Sequence, residues 1–162
     1  MGLGNIERTR KYYLSIADGK VLHREDGKEE AFSYVEGTLE AIYKRERTFK
    51  GETVLYWYVD LRGEKGELYS ISPPYKSGTF KSIVLALASD SAVALSTVKI
   101  EPYKKGDYTK VVVSSNGRRL DWVTKELPAV EDILIAGQRV KDDTKRMAYI
   151  ESLVDTINKR IR

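Results

Sequence analysis

The chain of 162 residues has no cysteine and a single histidine. Without thiols there is no disulfide, no thiolate metal site and no cysteine nucleophile. His23 alone cannot form a histidine metal cluster, and its place in an alternating stretch predicts a solvent-facing strand residue. Long hydrophobic runs are also missing: Ile83–Ala88, the longest apolar segment, is far too short to span a bilayer. The opening MGLGNIERTRKYY holds no apolar core, so no secretory signal is expected. Met1-Gly2 starts like a myristoylation site, but Ile6 stands where serine or threonine is required. Neither GxxxxGK[ST] nor GxGxxG occurs, which removes the common phosphate-cradling loops. A cytoplasmic protein without a cofactor is the expectation.

What is present is a mixed, mildly basic composition. Lys and Arg number 28 against 24 Asp and Glu, a net charge of +4, and the sequence pI is about 9.1. A charge this small does not by itself argue for nucleic acid; its distribution matters more. Hydrophobic residues at 41% and charged residues at 32% place the chain among soluble globular proteins. Its length fits one domain with an added terminal element.

The densest signal is Tyr43–Arg62, YKRERTFKGETVLYWYVDLR. From Val54 the alternation is strict. Leu55, Trp57, Val59 and Leu61 suit a core, leaving Val54, Tyr56, Tyr58, Asp60 and Arg62 on the other face. Upstream, Tyr12–Ile16 and Lys20–Arg24 flank Asp18-Gly19, a hairpin signal, and Glu25–Glu30 reads as a polar loop. Ala31–Arg45 reads as one long strand, with Val35, Leu39, Ala41 and Tyr43 on one face and Gly37 marking a bulge or bend. Downstream, Glu67–Ser72 forms a hairpin with the aromatic strand, and Pro73-Pro74 ends sheet pairing. Ser77–Ser89 switches to a helical period, with Phe80, Ile83, Val84 and Leu87 in one stripe under a Ser77 cap. Val98–Tyr103 and Tyr108–Ser114 make another hairpin. Asn116-Gly117 turns into Arg118–Thr124, where Trp122 is expected to be structural. Leu127–Ile135 is a connector that can form a short strand, and Asp143–Ile161 a second helix whose Met147, Ile150, Val154, Ile157 and Ile161 form a heptad-like seam.

Three strands, a helix and two strands is the order of an OB-fold. The fold class is therefore mainly β: an OB-fold-like five-stranded Greek-key barrel over residues 31–124, preceded by an N-terminal hairpin extension (1–30). A connector and C-terminal helix packing on the barrel (125–162) complete it. OB barrels bind on the face of strands two and three, flanked by the loops joining strands one to two and four to five. Both loops are basic and aromatic here. Lys44, Arg45, Arg47 and Lys50 lie in the first, and Tyr103, Lys104, Lys105, Tyr108 and Lys110 in and around the second. Between them Tyr56, Tyr58, Arg62 and Tyr69 line the strands, and Tyr75 and Lys76 extend the groove. Cations beside flat rings suit single-stranded nucleic acid, because phosphates need charge and unstacked bases need a π-face.

In this arrangement of elements, over about Phe32–Val123, the chain resembles single-stranded DNA-binding proteins of the OB-fold type from bacteriophages and mobile elements. The resemblance implies non-catalytic, largely sequence-independent binding of single-stranded DNA in replication or recombination, with RNA as the alternative polymer. Many such proteins end in an acidic tail that recruits partners; this chain ends IESLVDTINKRIR, which puts that recruitment in doubt. The other reading is a protein-interaction barrel that oligomerises through its C-terminal helix. Catalysis finds less support: Asp60, Glu64 and Glu67 lie close in sequence, as Mg²⁺ ligands do, but no histidine base accompanies them.

Overall fold

The computed structural model describes residues 11–161; the myristoylation-like start of the chain and Arg162 lie outside them. Eleven strands and two α-helices follow one another. They are β1 (Lys11–Ala17), β2 (Lys20–Glu25), β3 (Lys28–Phe32), β4 (Val35–Phe49), β5 (Glu52–Arg62), β6 (Leu68–Ile71), α1 (Gly78–Leu87), β7 (Thr97–Lys105), β8 (Tyr108–Ser115), β9 (Arg118–Arg119), β10 (Glu131–Ile135), β11 (Gln138–Asp142) and α2 (Thr144–Ile161). The protein is thus mainly β. Among the described residues no helix is long and apolar enough to cross a membrane, which says nothing of strands.

Nine strands form one mixed sheet in the order β3-β2-β1-β6-β5-β4-β7-β8-β9. Within it β7-β4-β5-β6 is a Greek key: three strands in sequence, then a fourth that returns past α1 to lie beside the first. The expected closed five-strand barrel is not formed. The outer edge of β6 pairs instead with β1, in parallel, from Lys11↔Leu68 to Leu14↔Ile71. The N-terminal hairpin is therefore an interior part of the sheet and not an appendage. The sheet curls enough to bring its two arms together, since the Gly19 amide in the β1–β2 turn donates to Thr109 Oγ1 at 3.1 Å.

Two expectations along β3 and β4 need correction. The polar stretch 25–30 is no loop: Asp26 (φ 52°) and Gly27 (φ 76°) form the two-residue turn that joins β2 to β3. Positive φ at both central residues is the twist that a tight hairpin requires. Nor is 31–45 one strand, because Ser33-Tyr34 separates β3 from β4. The bulge is at Glu40, where the register moves from Leu39↔Leu61 to Ala41↔Asp60. An extra residue reverses the alternation. Ile42 turns inward to 2% exposure, and Tyr43 turns outward, away from the face it was expected to share with Leu39. Gly37 has a different role. A Cβ there would meet the Arg62 carbonyl oxygen at 2.6 Å, so glycine permits the close crossing where β4 leaves β7 for β5.

The core lies on the concave side of the sheet, where Leu39, Ile42, Trp57, Val59, Leu61 and Ile71 meet both helices. α1 starts as its sequence predicts, with Ser77 Oγ accepting from the Phe80 amide at 3.3 Å. It is buried through Leu87. The seam of α2 also packs on its own chain: Met147, Ile150, Val154 and Ile157 are all buried. Past Thr38 the β7 side of β4 has no strand neighbour, and the Asn158 amide completes it. Ile42 N donates to Asn158 Oδ1 (3.1 Å), and Asn158 Nδ2 donates to Ile42 O (2.8 Å). The connector's expected short strand is β10, and it pairs across the Ala136-Gly137 turn with β11 as a separate two-stranded sheet.

Candidate nucleic-acid interface

β4 and β5 are much longer than their neighbours. From Arg47↔Val54 to Phe49↔Glu52 they pair only with each other, so the hairpin projects as an arm that ends in the Lys50-Gly51 turn. Its convex face is set by register. Tyr43↔Tyr58, Arg45↔Tyr56 and Arg47↔Val54 are cross-strand partners, so rings and guanidinium groups share one surface. Tyr43 and Tyr58 stack at 5.3 Å with 11° between planes. Arg47 lies 4.4 Å from the Tyr56 ring centroid and 5.2 Å from that of Tyr58, and its Nε donates to Tyr58 Oη at 2.6 Å. Arg45 lies 5.1 Å from the Tyr43 ring. Guanidinium–π contacts of this kind hold long side chains in place before any ligand arrives.

β1 extends the surface. Lys11 Nζ donates to Tyr43 Oη at 2.8 Å, lies 3.6 Å from Asp60 Oδ2, and sits 5.3 Å from the Tyr13 ring. Burial works against the Lys11 charge, but the Tyr43 hydrogen bond and the Asp60 carboxylate outweigh it, and its pKa is raised. Lys11 therefore remains a cation. Below it, Asp60 Oδ1 and Ser70 Oγ are buried without hydrogen-bond partners.

The expected residues divide by location. Arg45, Arg47, Tyr56 and Tyr58 come together on the arm, and Lys50 stands at its tip, 5.5 Å from the ring of Phe49. Lys44 is on the opposite face, where it pairs with Glu151 of α2 and covers Trp57 and Tyr75. Tyr75 belongs to the same inner cluster. It stacks on Trp57 at 5.6 Å and donates to Glu151 Oε2 at 2.9 Å. Burial, then that carboxylate, push its pKa up to about 12. Lys76 reaches Asp143 at 3.3 Å. Arg62 is engaged by Glu40 and by the Gly66 carbonyl (2.8 Å).

Tyr69 faces the concave side, stacked on Tyr12 at 5.5 Å, with its hydroxyl donated to Glu67. It lines an open trough of about 980 Å³ with His23, Phe32, Tyr34, Glu30, Glu36 and Glu64. His23 is thus not solvent-facing: its side chain is 15% exposed and edge-on to Tyr12 at 5.4 Å. The second basic loop is not beside the first. Val35↔Ile100 and Thr38↔Thr97 make β7 run past the start of β4, so Tyr103, Lys104, Lys105, Tyr108 and Lys110 leave from the opposite end of β4.

Sequence reasoning missed Lys11, Tyr13, Tyr43 and Phe49. Phe49, 69% exposed beside Lys50, was legible as an aromatic at a predicted turn. Tyr43 needed the bulge, and Lys11 and Tyr13 needed the parallel β1–β6 pair. Among the described residues, no three His, Asp or Glu side chains gather as a metal site would require. Compared with known proteins, the chain matches no family model, no curated sequence and no solved structure.

Proposed function

We propose that the convex face of the β4–β5 arm, with Lys11 and Tyr13, binds single-stranded DNA without catalysis and with little sequence preference. The observation that carries this is the cross-strand ladder of Tyr43, Tyr58 and Tyr56 interleaved with Arg45 and Arg47. Phosphates are drawn to the guanidinium groups. Bases then stack on the partly exposed faces of Tyr43 and Tyr56 as the arginines swing from ring to phosphate, each stacked base worth about 1–3 kcal/mol. Because hydrogen bonds to base edges are not required, sequence matters little. The Greek key β7-β4-β5-β6 is consistent with an OB-like lineage in which β4 and β5 are strands one and two, with β1 replacing the closing strand. Participation in replication or recombination follows from that chemistry.

The test is fluorescence anisotropy of a labelled dT oligonucleotide at low and moderate salt, with duplex DNA and RNA of equal length as competitors. Tight binding that weakens with salt and is poorly competed by duplex is the expected outcome. Equal competition by RNA would widen the ligand to either polymer. No binding at low salt would remove the proposal and leave the sheet as a protein-interaction module.

A further inference from the structure

The β10–β11 hairpin stands apart from the core. Each strand pairs only with the other, and neither has a buried residue. It is tied at its base, where Lys145 of α2 pairs with Glu131 at 2.6 Å and the Thr144 amide donates to Asp142 Oδ1 at 3.0 Å. A two-stranded hairpin alone is only marginally stable in water. This one also exposes apolar side chains: Leu134 is 73% and Ile135 55% exposed, and Val140, opposite Ile133, is exposed too. From Ile133 to Lys141 there is no carboxylate. Arg139 and Lys141 have no ion-pair partner among the described residues. Ala136 (φ 51°) and Gly137 (φ 79°) give the turn the twist of a tight hairpin, so this apolar, basic tip is preformed.

The concave trough has the complementary chemistry. Glu30, Glu36 and Glu64 line it without an ion-pair partner among the described residues. Phe32, Tyr34 and Tyr69 supply ring surface beside them. One of these rings already takes a cation, since Lys99 Nζ lies 4.3 Å from the Tyr34 ring centroid. At about 980 Å³ the trough has room for several side chains together. A small free cation would satisfy its carboxylates but leave Leu134, Ile135 and Val140 in water. The hairpin tip answers both needs.

We propose that the β10–β11 hairpin of one copy seats in the concave trough of the next, with Arg139 and Lys141 against the glutamates and the apolar tip against the rings. Hairpin and trough are different surfaces, so the contact is head-to-tail. Each copy in a dimer keeps one surface unused, and association continues into a chain or ring. A hairpin tip buries less than a standard interface of about 1,600 Å², so each contact is weak and shows at high protein concentration. The trough is concave and the arm's proposed binding face convex, so this inference does not rest on nucleic-acid binding.

The test is sedimentation velocity of the full chain over a wide range of concentration, at low and high salt. The sedimentation coefficient is expected to rise with concentration past that of a dimer, and less so at high salt. Two surface variants divide the contact, each first matched to the native chain by circular dichroism: Arg139→Glu with Lys141→Glu on the hairpin, and Glu30→Lys with Glu64→Lys in the trough. Each alone should weaken association at least about tenfold, because like charges then face each other. Mixed in equal amounts they should associate again, the reversed hairpin meeting the reversed trough and the native hairpin the native trough. A native chain that stays monomeric at every concentration would overturn the proposal and leave the trough to a free cation or a foreign basic peptide. Loss in the hairpin variant alone would place the contact between paired hairpins and overturn the trough as its seat. Unchanged association in both variants, or a mixture of folded variants that stays apart, would overturn it as well.

Discussion

Two aromatic surfaces of this protein share strands yet differ in sign. On the convex face of the arm, Tyr43, Tyr56 and Tyr58 lie among Arg45, Arg47 and Lys11. In the concave trough, Tyr12, Tyr69, Tyr34 and Phe32 lie among Glu25, Glu30, Glu36, Glu64 and Glu67. Ring content alone would recommend either, and the trough offers an open space of about 980 Å³. Charge decides between them, because a polyanion approaching the trough meets carboxylates that its phosphates cannot satisfy. The cations first grouped with the arm also differ in how they are committed: Arg62, Lys44 and Lys76 are held by Glu40, Glu151 and Asp143, whereas Arg45 and Arg47 lean on rings that a base could take from them.

Reversing charge should break this contrast most severely. Arg45→Glu with Arg47→Glu is expected to weaken dT binding at least about 100-fold at low salt. It should also flatten the log–log salt dependence by about 0.7 per lost phosphate contact. The matching reversal of the trough, Glu64→Lys with Glu67→Lys, should leave affinity within about threefold, since screened charges on the far face act only weakly. An equal loss from both pairs, read by anisotropy, would end the distinction between the faces.

The rings can be compared in the same way. Tyr56→Ala should cost about 1–3 kcal/mol of binding, and Tyr69→Ala in the trough should cost none. Tyr56 suits this test better than Tyr58, whose 7% exposure makes its removal a folding perturbation as well.

The bend that divides the two surfaces can be probed through stability. Gly37→Ala forces a Cβ against the Arg62 carbonyl at 2.6 Å and should lose about 2 kcal/mol or more in urea unfolding. Gly27→Ala meets nothing within 4 Å and suffers only from its φ of 76°, about 1 kcal/mol.

The smallest effect concerns the clamp behind the arm. The Lys44 ammonium and then the Tyr75 hydroxyl hold Glu151 below its ordinary carboxylate range. A depressed value stabilises the fold fully above the unfolded carboxyl's 4.5 and loses that contribution as pH falls through the lowered folded value. Glu151→Gln should therefore remove less than about 1 kcal/mol near neutrality, the pair being partly exposed to solvent. It should also make the acid side of the stability profile shallower. An unchanged acid limb in chemical denaturation would detach Glu151 from it.

These contrasts also mark how far the sequence could be read. The β5 faces, the Asp18-Gly19 and Asn116-Gly117 turns, the Ser77 cap and both helices are local patterns, and each stands where its residues indicate. What failed was nonlocal or cumulative. A bulge at Glu40 leaves no mark in composition, yet it reversed every residue after it and moved Tyr43 between surfaces. The β1–β6 pairing joins segments more than fifty residues apart and replaced the expected barrel closure. Trp122, expected to be structural, sits at the sheet edge beside Ser82 and Ala86 of α1 and is 45% exposed, a placement no local pattern marks. Of the candidate site, the arm's arginines and tyrosines were legible because adjacent strands of one hairpin carry them. The engagement of Arg62, Lys44 and Tyr75 was not legible, because their carboxylate partners Glu40 and Glu151 come from elsewhere in the chain.

The most direct test of the central claim is ultraviolet crosslinking of the full chain to a dT oligonucleotide, with the crosslinked peptides mapped by mass spectrometry. If the convex face binds, crosslinks concentrate in the Tyr43–Tyr58 arm and near Lys11 and Tyr13. Crosslinks confined to the trough segments around Phe32, Tyr34 and Tyr69 would contradict it.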